Sequence, residues 1–214
     1  GRLWLGTLGS GLNVSNPAKT SFQKLNFPSD PKEISRATVH NVTEDSLGRF
    51  WLASELGLFV ATENERGFDI KAFYESVGAP PNTPMGIPNV LYTDSLGKIW
   101  IGTSSGLFIY NVEKTKLITP DEIPGLPHNY IQDIVSDRKG RIWVGCVNKG
   151  TRIYYTSPKK IRFSSFNHIP LPSPTHDLFL SFDLDNRLWA SSFGDQVFGY
   201  DFRDSTLFLQ SKVN

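Results

Sequence analysis

The feature that most constrains the fold of this chain is the even spacing of its tryptophans. All five stand in the same short motif, at positions 4, 51, 100, 143 and 189, which are 47, 49, 43 and 46 residues apart. The motif is clearest in residues 97–103, which read Gly-Lys-Ile-Trp-Ile-Gly-Thr. Spacing of this kind predicts five tandem structural units of about 46 residues each.

Each unit reads as four antiparallel strands, which we call A, B, C and D in chain order. Strand B carries the tryptophan, and an Asp-x-x-Gly or Asp-x-x-Asn turn joins strand A to it, at residues 45–48, 94–97, 137–140 and 183–186. Aspartate opens such a turn by accepting bonds from its own downstream backbone, and Gly or Asn closes it at positive φ, which predicts a tight hairpin. Apolar strand C and a more polar strand D follow. The first unit lacks strand A.

Repeated four-stranded units of this length predict an all-β fold, a β-propeller of four-stranded antiparallel blades. Strand B is apolar on both faces, as expected where a blade packs between two neighbours. We therefore assign the tryptophans to the core, and the small residue two positions later predicts large-against-small packing between blades. The predicted blades are approximately 1–34, 35–87, 88–127, 128–175 and 176–214. With the first blade lacking its innermost strand and no spare strand at the C-terminus, we expect part of a larger ring.

Composition and charge exclude several classes of protein. The formal net charge is +1 and the basic residues are scattered, so the chain lacks the basic patch of a nucleic-acid-binding protein. Cys146 is the only cysteine, which excludes an internal disulfide. No apolar run approaches the ~20 residues of a membrane-spanning helix. The first residues do not resemble a signal peptide, so we expect a trimmed chain or a portion of a longer protein.

The repeat resembles the two-component regulator propeller family. Residues 94–110 match that family's pattern best, Asp-x-x-Gly-Arg/Lys-Ile/Leu-Trp-Ile/Val-Gly-Thr-x-x-Gly-Leu-x-x-Tyr. The resemblance implies the periplasmic or extracellular sensor portion of an inner-membrane receptor, followed by an immunoglobulin-like domain, a membrane helix and a histidine kinase or diguanylate cyclase. It also implies a small ligand, such as an oligosaccharide, and a homodimer in the intact receptor. For this segment it implies no enzyme activity and no cofactor.

A ligand site is expected at the end of the propeller where strand A begins, which we call the top face. The D–A and B–C connections meet there, and long loops on a rigid scaffold are where binding functions concentrate. The candidates from D–A connections are Arg36, Asn89, His128, Asn129, Tyr130, His176 and Asp177. Those from B–C turns are Glu55, Ser105, Asn148, Lys149 and Asp195. Among these loops, Tyr130, Phe193, Asn129 and Asp177 offer the aromatic, amide and carboxylate groups that suit a sugar.

Two other functions remain open from the sequence. A scaffold propeller would bind protein partners and would show a large exposed apolar patch. A metal-dependent lyase-type propeller would use top-face histidines, and His128 and His176 occupy comparable places in adjacent blades. However, no two of the four histidines (40, 128, 168 and 176) have metal-ligand spacing, and the turn at 183–186 lacks a calcium-binding run. We therefore predict neither metal ligands nor catalytic residues.

Overall fold

The computed structural model describes residues 3–16, 21–25, 34–65, 67–77, 84–126, 130–147, 152–167, 169, 178–192 and 196–210. Blade 1 contains β1 (Trp4–Gly6), β2 (Leu12–Asn16) and β3 (Ser21–Lys24). Blade 2 contains β4 (Val39–Glu44), β5 (Phe50–Ser54), β6 (Gly57–Asn64) and β7 (Gly67–Ala72), and blade 3 contains β8 (Pro88–Thr93), β9 (Lys98–Thr103), β10 (Gly106–Asn111) and β11 (Lys116–Ile118). Blade 4 contains β12 (Tyr130–Ser136), β13 (Ile142–Val147), β14 (Arg152–Ser157) and β15 (Lys160–Phe166). Blade 5 contains β16 (Leu178–Phe182), β17 (Leu188–Ser192), β18 (Gln196–Asp201) and β19 (Thr206–Gln210).

Every blade is an antiparallel sheet whose strands pair in chain order. The sheet of blade 1 has three described strands and each of the others has four, which confirms the predicted fold class. Helical structure in the described residues is limited to α1 (Phe73–Val77) and two 3-10 turns, Ile34–Arg36 and Pro120–Glu122. No helix within these residues is long and apolar enough to span a bilayer.

The turn aspartate of blades 2 to 5 organises the hairpin between strands A and B. In blade 3, Oδ1 of Asp94 accepts the backbone N–H groups of Leu96 and Lys98 at 2.8 and 2.9 Å, and Oδ2 accepts the indole N–H of Trp100 at 2.8 Å. The same three bonds recur at Asp45, Asp137 and Asp183. Because the carboxylate satisfies a buried indole donor as well as the turn, aspartate is needed here for more than turn formation.

The blades pack through four separate apolar clusters, each shared by two adjacent blades. The tryptophan of each of the first four blades lies against an aromatic ring of the next blade, in the pairs Trp4–Phe50, Trp51–Tyr110, Trp100–Phe163 and Trp143–Phe202. The middle three, Trp51, Trp100 and Trp143, are fully buried. This arrangement confirms the assignment of these side chains to the core.

The small residue two positions after the tryptophan admits the next blade. A Cβ placed on Gly102 would lie 2.6 Å from Cγ2 of Ile131 in blade 4, and a Cβ on Gly145 would lie 2.9 Å from Cδ2 of Leu178 in blade 5. Real Cβ atoms do not approach side chains this closely. Gly102 is therefore required for the close approach between strand B of blade 3 and strand A of blade 4, whereas a Cβ at position 145 would force the end of the Leu178 side chain to move.

Strands β4, β8, β12 and β16 contact one another in that order and form the innermost wall of the propeller. Side-chain hydrogen bonds join each adjacent pair, and the pair β4–β8 has a second one from the Thr93 hydroxyl to the Glu44 carbonyl at 2.8 Å. The Thr43 and Thr93 hydroxyl groups lie 2.8 Å apart, the Tyr92 hydroxyl donates to Ser136 at 2.6 Å, and Asp133 accepts the backbone N–H of Leu180 at 2.6 Å. These bonds fix the relative height of neighbouring innermost strands, on which the pocket described next depends.

Candidate ligand-binding site

Three innermost strands carry a β-bulge at the same place, five residues before the turn aspartate. The pairing with strand B skips His40 in β4, Asn89 in β8 and Gln132 in β12, whereas β16 runs against β17 without a shift. A bulge places one extra residue on its strand and redirects that side chain relative to regular alternation. The propeller wall thus presents an imidazole and two amides at matching positions of three adjacent blades.

These bulged residues line a pocket of about 360 Å³ on the innermost wall. Its lining consists of His40, Asn41, Asn89, Val90, Tyr130, Gln132, Asp133 and Phe179, which come from strand A of blades 2 to 5. All these residues lie in the half of strand A nearer the top face. The volume lies within the range of small-molecule sites. The lining is more polar than is usual for such sites, with five polar side chains beside Val90, Tyr130 and Phe179.

Asp133 is the most constrained polar group of the pocket. Its Oδ1 accepts the backbone N–H of Ile134 at 2.8 Å, and its Oδ2 accepts that of Leu180 in the next blade at 2.6 Å. Burial raises the pKa of this carboxyl above its ordinary value, and the two backbone donors oppose that rise. The carboxyl group is therefore held in one orientation at the junction of blades 4 and 5.

Asn89 brings an unsatisfied donor to the same pocket. Its Nδ2 is buried and has no hydrogen-bond partner among the described residues. A buried amide N–H without a partner costs about 1–3 kcal/mol, so an acceptor atom that reached Nδ2 would stabilise this position. Apolar contact area comes from Tyr130 and from Phe179, whose side chain is 55% exposed.

Two of the predicted site residues, Asn89 and Tyr130, line this pocket. Glu55 instead accepts the backbone N–H of Thr38 at 2.8 Å and so joins the B–C turn to the D–A connection of its own blade. Ser105 donates its backbone N–H to Thr103, and Arg36 is exposed in the first 3-10 turn. The predicted residues His128, Asn129, Asn148, Lys149, His176, Asp177 and Asp195, together with Phe193, lie outside the described residues.

The sequence reasoning did not select His40, Gln132 or Asp133 as ligand-binding residues. Aligning the repeats on the turn aspartate would have shown His40, Asn89 and Gln132 in one column, five residues upstream, where an apolar residue is expected on a buried strand. Within the part of the chain that the structure describes, no group of three or more His, Cys, Asp or Glu side chains could hold a metal ion.

Comparison with known proteins supports the fold and the repeat assignment. Residues 125–148 match the family model described as "two component regulator propeller", which confirms the resemblance seen in the sequence. A search of curated proteins found no match.

Several solved structures share the fold. The extracellular domain of BT3049 from B. thetaiotaomicron, described as a hybrid two-component system, superimposes with a TM-score of 0.74 at 22% identity, over 99% of this chain and 27% of that one. The extracellular domain of BT4673 from the same organism, described as a one-component system, gives 0.70 at 17% identity, over 99% and 27%. A catalytically inactive virginiamycin B lyase from Staphylococcus aureus, with quinupristin, gives 0.67 at 14% identity, over 100% and 75%. This chain spans about a quarter of the length of the first two proteins.

Proposed function

We propose that this chain is the ligand-sensing propeller of an extracytoplasmic receptor of the two-component class, and that its ligand is an oligosaccharide. The observation that carries the proposal is the pocket on the innermost wall, where three bulged polar residues converge from three blades. Imidazole and amide groups both donate and accept hydrogen bonds, as sugar hydroxyl groups do. Tyr130 and Phe179 supply rings against which a sugar can pack.

The comparisons support the receptor context of this proposal. Two propellers of similar fold are described as extracellular domains of a two-component and a one-component system, and both chains are much longer than this one. We propose accordingly that further blades and downstream signalling domains complete the receptor, which acts at the periplasmic or outer surface of the inner membrane. In this proposal the propeller itself only binds its ligand, and any kinase or cyclase activity belongs to other domains of the receptor.

A ligand screen tests the proposal directly. Purified protein is titrated with oligosaccharides from partial hydrolysis of plant and host polysaccharides, and binding is followed by thermal unfolding and calorimetry. We expect at least one oligosaccharide to raise the unfolding temperature. Gln132→Ala and His40→Ala should weaken its binding roughly tenfold, in line with the loss of one hydrogen bond to ligand.

Lys71→Ala is the matched control, because Lys71 is exposed on β7 at the outer edge of blade 2 and pairs with Asp69 at 3.6 Å. This variant should bind as the unmodified protein does. Absence of binding by every oligosaccharide would reject the sensing proposal in its carbohydrate form. Metal-dependent conversion of an added compound would favour the lyase reading, and binding of a protein partner alone would favour the scaffold.

A further inference from the structure

The charge of the pocket wall restricts the ligand class further, and this inference rests on the proposed function. Of the eight lining residues, Asp133 is the only one with a carboxylate, and none is lysine or arginine. Both oxygens of Asp133 face backbone N–H groups, an arrangement that suits an ionised carboxylate. Among the described residues that line the pocket, an anionic ligand would therefore meet a fixed carboxylate and no lysine or arginine.

The hydrogen-bonding groups of the pocket also restrict the ligand. Nδ2 of Asn89 lacks an acceptor, whereas Asp133 can accept further bonds through the remaining lone pairs of its two oxygens. Hydroxyl groups suit both residues, since a hydroxyl can accept a hydrogen bond from an amide N–H and can donate one to a carboxylate. A carboxylate or sulfate on the ligand could satisfy Asn89 but would repel Asp133.

We infer that the pocket selects uncharged sugar units and discriminates against uronic acid and sulfated units, with Asp133 and Asn89 as the residues that set this specificity. The discrimination is electrostatic. Two like charges about 6 Å apart in a partly buried site repel strongly enough to weaken binding by roughly tenfold or more. Because the repulsion depends on the charge of the ligand and not on its shape, two ligands that differ only in charge should differ in affinity.

The test uses matched pairs of disaccharides at pH 8. Galactobiose and digalacturonic acid, and likewise cellobiose and cellobiuronic acid, keep the same sugar framework and replace hydroxymethyl groups by carboxylates. We expect the neutral member of a binding pair to bind at least tenfold more tightly in calorimetry. Raising the sodium chloride concentration should reduce the ratio between the two, because salt screens the repulsion.

Asp133→Asn removes the charge and keeps the side-chain size, although its Nδ2 cannot accept one of the two backbone hydrogen bonds; it should reduce the neutral-to-acidic ratio to near one. Asp121→Asn, in the exposed 3-10 turn 120–122, is the control and should leave the ratio unchanged. If an acidic member binds as well as its neutral partner, the charge inference is wrong although the sensing proposal stands. If neither member of any pair binds, and the wider screen also fails, the proposed function itself is wrong. A ratio that responds to neither salt nor Asp133→Asn would exclude Asp133 as its cause.

Discussion

Removing the turn aspartate should cost far more in blade 3 than in blade 5, although both residues make the same three hydrogen bonds. Asp94 is 5% exposed, and the Trp100 ring that donates to it is fully buried in the apolar cluster shared with blade 4. In Asp94→Ala the indole N–H loses a charged acceptor and no water can replace it. Bonds to charged groups contribute about 1.5–3 kcal/mol each and a buried donor left unpaired costs about 1–3 kcal/mol, so we expect a loss of about 3–5 kcal/mol in the free energy of unfolding.

Asp183 is the matched comparison within the same molecule. Its side chain is 28% exposed and Trp189 is only partly buried, so water can replace the carboxylate after Asp183→Ala. We expect this variant to lose markedly less stability than Asp94→Ala. Urea unfolding at pH 7, followed by circular dichroism, measures both losses. Asp94→Asn, which keeps one carbonyl acceptor, should fall between the unmodified protein and Asp94→Ala. Equal losses at the two aspartates would refute the argument that burial of the indole bond sets its contribution.

Two further predictions follow from the same packing. Trp143→Ala should destabilise the protein by about 3–5 kcal/mol, because Trp143 is fully buried among rings of blades 4 and 5. Trp189→Ala should cost markedly less, because the described ring contact of Trp189 is with Phe208 of its own blade. Thermal or urea unfolding that ranks the two variants in the opposite order would contradict this prediction. Cys146 is fully buried, and burial raises the pKa of its thiol to about 12. It should therefore react with a thiol reagent at pH 8 only when the contact between blades 3 and 4 opens. Rapid labelling of the native protein would disprove that burial.

The sequence was sufficient to predict the blades because the same motif occurs five times, so the positions that its copies share can be read from one chain. The alternation of strands, the Asp-x-x-Gly turns and the paired large and small residues all follow from local chemistry. The indole bond was not predicted, although each turn aspartate precedes its tryptophan by six residues in four blades, as Asp94 precedes Trp100. The cause is that the aspartate already had a sufficient explanation as a turn residue, so its second role had no separate signal.

The pocket could be predicted only in part. The topology pointed to the D–A connections at the top face, and Asn89 and Tyr130 were selected from these connections; both line the pocket. His40 and Gln132 were not, because strict alternation does not indicate where a bulge redirects a side chain. Asp133 gains its place in the site from Leu180, a residue 47 positions away, and single-sequence patterns do not reveal a contact at that separation.

The separation of the core into four clusters has a consequence for how the propeller transmits a disturbance. Among the described residues, each cluster joins two adjacent blades and none extends over three. The stability of such an array is approximately a sum of the intrinsic term of each blade and nearest-neighbour coupling terms, as in a one-dimensional Ising chain. The effect of opening one blade–blade junction on the stability of the other blades therefore decreases with each further junction. The pocket is lined from four successive blades, so a ligand there adds couplings between blades that the apolar clusters leave independent.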